Sequence, residues 1–329
     1  MRILLLSNQG MKDGIVGNPI MLRMRDALKN DSRVEDVLML RCKHPFSVRE
    51  ELAKKARSAD VIHIHFGGVY ALVVWLLLIR IKRPKLLTFH GTDIHAKGIK
   101  TAKTKGEKLR IKLNQWASFI CILLYDQVGF VAEDMLEYVP CFLKKNMHNK
   151  YFIQKLGVDY HLFLEKSKED AQKKLHLDNR YVYALFSDIS GSSIKRRDIA
   201  SEIIKTLGEP YRLTIMCGIN PNMVPTYINS SDFVLLTSDE EGSPNIIREA
   251  LSLNKPIFSV EVGDAKKQLE GLVNSAIISR DPQEAAETIK RVLSIPYADN
   301  TRETKQAFLD LNIIIKDVIE IYQQLCSKA

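Results

Sequence analysis

The sequence predicts an α/β protein built from two doubly wound parallel sheets, and three observations lead there. Short apolar runs of strand length alternate with amphipathic helical patterns along nearly the whole chain, the signature of parallel sheets covered on both faces. The alternation breaks once, in a polar, Lys-rich stretch from Leu156 to Arg180, and a second series then begins. A length of 329 residues, 46% hydrophobic and 26% charged, is enough for two cores of ordinary domain size.

The first series opens at Ile3–Leu6, four consecutive apolar residues, short of the roughly 7–15 of a signal peptide, so this run reads as a strand. A loop containing Gly10, Gly14 and Gly17 follows, then a helix through Met21, Leu22, Met24, Ala27 and Leu28. The glycines form no G-x-G-x-x-G fingerprint, and alone they are weak evidence for phosphate binding. Further strands are expected at Val34–Leu40, Val61–His65, Leu86–Phe89 and Gln127–Val131. The most apolar run, Val69–Ile79, is far shorter than the roughly 20 residues of a membrane span and reads as a buried helix.

In the second series strands are expected at Tyr181–Phe186, Arg212–Cys217, Phe233–Thr237, Pro256–Val260 and Ser275–Ile278. Helices are expected near Ile199–Leu207, Val224–Ile228, Asn245–Leu253 and Pro282–Leu293, with one last amphipathic helix over about Lys305–Cys326.

Composition narrows the function classes. Cys42, Cys121, Cys141, Cys217 and Cys326 are scattered and contain no C-x-x-C pair, which argues against a disulfide framework or structural zinc and fits a reducing cytoplasm. The net charge of +9 is uneven: residues 1–157 hold 27 Lys and Arg against 14 Asp and Glu, the remainder 21 against 25. A basic first half points to an anionic partner, a membrane surface or a nucleic acid. Residues 97–112 carry seven basic side chains and one acid, as a solvated loop or as a segment touching anionic headgroups. Aromatic interleaving is missing apart from Trp116 and Phe119 just beyond, so a nucleic-acid stacking platform is not expected.

His63, His65, His90 and Asp93 fall at strand ends, where parallel sheets gather ligands. A metal set drawn from these and His95 is conceivable by residue type. Alternate residues of a strand point to one face, so His63 and His65 need be no more than a polar strand end, and no metal is expected.

The stretch Ser238–Ala250 carries the most chemistry. The strand run Phe233–Thr237 leads into Asp239, Glu240, Glu241 and Gly242, followed by a helical pattern through Ile246, Ile247, Ala250, Leu251 and Leu253. Ser243 reads as the N-cap, Pro244 as the first helical residue and Asn254 as the C-terminal cap. Free backbone N–H groups after a strand end suit a phosphate; two carboxylates serving as cap and surface charge are the plain alternative.

These residues resemble the family 4 glycosyltransferases. Glu241 and Glu249 stand at E-x7-E spacing inside Glu-Gly-Ser-Pro-Asn-Ile-Ile-Arg-Glu-Ala, and Pro256–Asp264 resembles the family's strand with a glycine-containing loop. Asp60–Phe66, Thr88–Asp93 and Gly157-Val158-Asp159 with Phe163 are weaker matches spread over the chain. The resemblance implies the GT-B fold: two facing Rossmann-like domains with a cleft between them, residues 1–157 on the acceptor side and 158–304 binding a nucleotide sugar, with a C-terminal helix about 305–329 packing back on the first. It also implies retaining transfer from a nucleotide-diphosphate sugar, without metal or other cofactor.

Carried over, Glu241 faces donor-sugar hydroxyls, His90 lies near the donor sugar, and both count as catalytic. Gly17 approaches the reacting phosphate, the backbone of Gly242, Ser243, Pro244 and Asn245 meets diphosphate or sugar, Glu249 holds the ribose, and Asp93 contacts the acceptor. The family's Arg and Lys, five residues apart, would meet the leaving diphosphate. Lys195 fits the Lys, Ser190 stands where the Arg is expected, and Arg196 or Arg197 is the substitute.

The resulting expectation is a cytoplasmic, peripheral membrane transferase of the hexosyl or N-acetylhexosaminyl class, acting at the inner membrane face on a glycan or lipid-linked acceptor in cell-surface polysaccharide synthesis. Its partners would be a nucleotide-sugar donor and an anionic membrane, and no nucleic acid. A noncatalytic subunit of the same fold and a sugar-nucleotide epimerase remain as alternatives.

Overall fold

The computed structural model describes residues 1–8, 20–99, 102, 104–147, 149–188, 193–296 and 301–328. Gly17 and Ser190 lie outside them, as do residues 100, 101 and 103 of the basic segment.

The chain divides into two compact units, Met1–Leu156 with Leu311–Ala329, and Gly157–Asp310. In the first, strands β1 (Arg2–Ser7), β2 (Asp36–Arg41), β3 (Val61–His65), β4 (Lys85–Phe89), β5 (Gln127–Phe130) and β6 (Tyr151–Ile153) form one sheet in the order β2-β1-β3-β4-β5-β6. All its pairs are parallel. Helices α1 (Ile20–Lys29), α2 (Arg49–Ser58), α3 (Gly68–Leu77), α4 (Lys105–Leu124) and α5 (Cys141–Met147) connect them. β3 and β4 are buried at every position, as central strands covered on both faces must be.

α4 starts at an N-cap: the Thr104 hydroxyl accepts the Glu107 N–H at 3.1 Å, satisfying a donor the first turn leaves unpaired. Residues 105–112 of the basic segment are therefore helical rather than loop. The start of α3 packs closely against α4. Gly68 has φ +78, a Cβ there would lie 2.0 Å from Asn114 Oδ1, and that oxygen accepts the Val69 N–H at 3.1 Å. The run Val69–Ile79 is not the buried helix its composition suggests, because Val69, Leu76 and Ile79 are exposed.

The second unit contains α6 (Lys168–Lys174), β7 (Val182–Ser187), α7 (Arg197–Leu207), β8 (Tyr211–Met216), α8 (Val224–Ser230), β9 (Phe233–Leu236) and α9 (Asn245–Leu251). There follow β10 (Ile257–Ser259), α10 (Ala265–Leu269), β11 (Ala276–Ile277), α11 (Pro282–Leu293) and α12 (Thr301–Leu309). Its sheet runs β11-β10-β9-β7-β8, again with parallel pairs. One apolar core joins Phe186, Phe233, Phe258, Ile203, Ile247 and Ile289 from both faces of this sheet.

The terminal helix is two helices rather than one. After α12 the chain pauses at Asp310, which bridges to Val158, and resumes as α13 (Leu311–Ser327). α13 packs on the first unit, where Leu311, Ile315, Ile319 and Tyr322 share a core with Ile3, Leu5 and Met21. Its apolar face repeats at helical spacing, and the face of the first sheet opposite α3 and α4 is covered by it and α1.

Candidate active site

In the second unit the end of β9 and the segment before α7 are tied together. The Thr237 hydroxyl lies 3.1 Å from the Lys195 carbonyl and 2.9 Å from that of Arg196, to which it donates. The Asp239 N–H donates to the Ile194 carbonyl at 2.8 Å. These bonds bring Lys195 and Glu241 face to face: Lys195 Nζ donates to Glu241 Oε1 at 2.6 Å, and the Ser238 hydroxyl donates to the same oxygen at 2.8 Å. Both bonds fall on Oε1, and Oε2 has no hydrogen-bond partner among the described residues. Both side chains are largely but not fully buried, which leaves a charged pair at a strand end with access to solvent.

Three further groups fix the course of the loop after β9. Arg280 donates to the carbonyls of Thr237 at 3.0 Å and Ser238 at 2.8 Å. The Ser243 hydroxyl donates to Asp264 Oδ2 at 2.7 Å, and Gln268 Nε2 donates to Asp264 Oδ1 at 2.6 Å. Arg248, buried in α9, donates to Ser243 Oγ at 2.5 Å, to the Ser243 carbonyl at 3.0 Å and to Asn245 Oδ1. Burial pulls the Arg248 pKa below its ordinary value, against the pull of Asp264 and Glu249.

Gly263 approaches the same loop from the chain after β10. Its φ is +51, and a Cβ there would lie 2.4 Å from the Gly242 carbonyl oxygen and 3.0 Å from that of Glu241. Only glycine combines that left-handed backbone with so close an approach.

Several expected roles change in detail. The helix begins at Asn245 with Pro244 as its N-cap and no side-chain cap bond, because the Ser243 hydroxyl is taken up by Asp264 and Arg248. Asn254 does serve the helix end: it has φ +55, and the next N–H, of Lys255, returns to the Ala250 carbonyl at 3.0 Å, as in a Schellman turn. Glu249 lies on α9, partly exposed. Arg196 pairs with Asp198 at 2.8 Å and Asp239 at 3.3 Å, and the Asp198 hydrogen bond is the main cause of its raised pKa. Its guanidinium is thus already engaged by two carboxylates.

In the first unit the histidines form a row, with His63 and His65 buried and His90 half-buried. Thr88 donates its one hydroxyl proton to Gln154 Oε1 at 2.5 Å, so the 2.8 Å bond between Thr88 Oγ1 and His63 Nε2 has His63 as donor. His63 Nδ1 is then the acceptor for the Tyr322 hydroxyl at 2.5 Å. Both His63 nitrogens are used, which removes this residue from any metal set. His65 Nδ1 and His90 Nε2 share a hydrogen bond of 3.0 Å, and the His90 ring stacks on Phe66 at 4.2 Å. Desolvation lowers all three: His63 and His65 lie well below the ordinary value and His90 falls to about 3. Among the described residues no group of three His, Cys, Asp or Glu is arranged to hold a metal.

Asp93 has a loop-holding task. Its carboxylate accepts the N–H groups of Gly67 at 2.8 Å, His90 at 3.0 Å and Gly91 at 2.8 Å. Burial raises its pKa, while those N–H bonds oppose the rise. It positions the backbone of His90 instead of presenting oxygens outward. Sequence reasoning missed Ser238, Arg248, Asp264 and Arg280; their signal is three-dimensional, apart from the Gly263-Asp264 loop already noted.

Two Rossmann-like parallel sheets in one chain, the second carrying a Lys–Glu pair at a strand end, define a two-domain α/β protein of GT-B type. Comparison with known proteins agrees. Residues 189–294 match the family model described as Glycosyl transferases group 1. The chain is 25% identical over 307 residues to the "Putative teichuronic acid biosynthesis glycosyltransferase TuaC" of Bacillus subtilis (strain 168), covering 84% of this chain and 74% of that protein. Among solved structures it is similar to sucrose-phosphate synthase (tll1590) from Thermosynechococcus elongatus, with TM-score 0.77, 16% identity and 100% of both chains covered. It is also similar to Anabaena Alr3699/HepE in complex with UDP-glucose, with TM-score 0.70, 18% identity, 98% of this chain and 100% of that one. At such identities the structural likeness is one of fold. The match to Glycosyl transferases group 1 thus lies within the second unit, residues 189–294.

Proposed function

We propose that this glycosyltransferase moves a sugar, with retention at the anomeric carbon, from a nucleotide-diphosphate sugar to a glycan acceptor that is lipid-linked, in cell-surface polysaccharide synthesis. The observation that carries the donor reading is the Lys195–Glu241 pair at 2.6 Å, at the end of β9 beside a loop held by Arg248, Asp264 and Gly263. The Lys195 ammonium and the N–H groups of Gly242 to Asn245 meet the charge that develops on the departing diphosphate. Glu241 accepts donor-sugar hydroxyls through its second oxygen, and Glu249 takes the ribose. His90, held neutral by burial, donates or accepts a hydrogen bond near the donor sugar without adding charge. No protein nucleophile is assigned: the leaving phosphate assists attack on the same face of the sugar.

TuaC is described as a teichuronic acid biosynthesis protein and the HepE structure holds UDP-glucose, so uridine donors head the screen and a cell-surface polymer is the pathway class. The same screen distinguishes a hexosyl from an N-acetylhexosaminyl donor. The first unit's basic excess supports work on the inner membrane face. A panel of sugar nucleotides is titrated calorimetrically against wild type, Glu241→Ala and Lys195→Ala. Binding by wild type with weakening in both variants supports the reading; a wild type that binds none removes it. The Ser190 position, where an Arg is expected, favours a second reading as a noncatalytic subunit, which requires capture of a partner transferase with no donor turnover by this chain. An epimerase would convert the donor with no acceptor present.

A further inference from the structure

The two helices on one face of the first sheet leave an apolar surface uncovered. On α4, Leu109, Leu113, Trp116, Ile120 and Leu123 are between 42% and 67% exposed. At about 100° per residue their spacing places all five within an arc of roughly 80°, on the side away from the buried Ala117, Ser118, Cys121 and Ile122. They form one stripe, roughly 21 Å long at the helical rise. Val69, Leu76 and Ile79 add to it from α3 and the turn after it. α3 lies alongside the second half of α4: Val69 N–H meets Asn114, and Trp75 Nε1 donates to the Leu124 carbonyl at 3.1 Å. A monomer rarely leaves so continuous an apolar face to water.

The charges around this face select its occupant. Lys105, Lys108, Arg110 and Lys112 occupy the half of α4 that runs ahead of α3, and all four are exposed. Arg80, Lys82 and Arg83 follow α3 at the other end and are exposed too. Among the described residues none of these seven makes an ion pair. α3 itself contains no charged residue, and α4 contains one acid, Glu107. Cations at both ends of an apolar stripe with a central exposed Trp complement an anionic bilayer surface, where apolar side chains enter the acyl boundary and Lys and Arg meet phosphate. No helix among the described residues is long and apolar enough to cross a membrane.

We propose that α3 and α4 form a docking face that lies on an anionic lipid bilayer, with Leu109, Leu113, Trp116, Ile120 and Leu123 inserted at its interface. This deepens the membrane-surface part of the proposed function and is independent of the donor reading. The basic segment alone would give a salt-sensitive surface attraction; the stripe adds insertion that salt does not screen.

The test is flotation of the full chain with vesicles of phosphatidylcholine containing about a third phosphatidylglycerol, and with phosphatidylcholine alone, at low salt and at about 0.5 M salt. Binding to the anionic vesicles with part of it surviving high salt is expected. Tryptophan emission shifts to the blue and is quenched by lipids brominated near the headgroup, and Trp116→Phe removes that signal. Leu113→Asp with Leu123→Asp lowers partitioning by about tenfold or more, each change removing the burial of a Leu, while circular dichroism and sugar-nucleotide binding stay unchanged. Lys108→Gln with Lys112→Gln weakens the low-salt binding.

Absence of vesicle binding by wild type overturns the proposal, and so does binding that the paired Asp variant leaves intact. A lipid-free dimer in sedimentation velocity that the same variant dissociates also overturns it, assigning the face to a second copy. Lost vesicle binding with sugar-nucleotide binding retained defeats this inference and the membrane-surface reading it rests on, and leaves the donor reading standing; the converse defeats only the donor reading.

Discussion

Gly263→Ala is the substitution through which the shape of the donor loop is most open to test. Two costs add at this position. The left-handed backbone at φ +51 costs a residue with a Cβ roughly 1–2 kcal/mol. The new methyl would also sit 2.4 Å from the Gly242 carbonyl oxygen, and forcing backbone apart in a packed site costs about 1–3 kcal/mol more. Gly271 is the control, because it has φ +78 and a Cβ there meets nothing within 4 Å. Gly271→Ala carries only the first cost, and in a unit of this size each kcal/mol moves the melting temperature by roughly 2–4 °C. Calorimetric melting should therefore show a drop of roughly 2–8 °C for Gly271→Ala and a further roughly 2–12 °C for Gly263→Ala. Because the clash falls on the carbonyls of Glu241 and Gly242, Gly263→Ala should also weaken sugar-nucleotide binding, whereas Gly271→Ala should leave it alone. Equal melting shifts with equal binding would show that the glycine does not shape this loop.

Tyr322→Phe removes the donor to His63 Nδ1 and leaves a buried acceptor unpaired, a loss of about 1–3 kcal/mol, read as a lower melting temperature of the first unit. The histidine row gives a pH prediction. Burial lowers the folded pKa of His63, His65 and His90, so their contribution is fully present above the unfolded value near 6.5 and is lost as pH falls below it, for His90 toward about 3. Below about pH 6 the stability of the first unit should fall by up to about 1.4 kcal/mol per pH unit for each histidine. His65→Asn should remove about one proton from the slope, and a slope it leaves unchanged would contradict the assignment.

The parts of the molecule that could be read from residues alone are those with local patterns. The alternation of β3, α3, β4 and α4 follows short-range periodicity, and the loop between β9 and α9 follows the Glu241 to Glu249 spacing. Contacts between distant residues were not legible. Tyr322 reaches His63 across 259 positions, so a polar strand end became a buried hydrogen-bonded row. Ser243, suited by type to cap α9, is claimed by Asp264 21 positions away. Asp93 is implied as an acceptor contact by the family resemblance; that its oxygens meet backbone N–H groups of its own turn and of Gly67 is visible only in the structure. Val69–Ile79 shows the limit of composition: a run apolar on all sides reads as buried, and only the placement of α3 beside α4 reveals which residues face water. Asp310 divides the terminal helix where its bridge to Val158 forms, a long-range pairing that periodicity cannot show.

The central claim is sugar transfer from a nucleotide-diphosphate donor at the Lys195–Glu241 site, and following the reaction by proton NMR tests it most directly. The wild type, given a donor it binds and a lipid-linked acceptor, should form a product with the donor's anomeric configuration. Glu241→Gln should slow that reaction by roughly 100-fold or more, as expected for removing a group that stabilises developing charge or orients the sugar. A product of inverted configuration, or full activity in Glu241→Gln, would contradict the account.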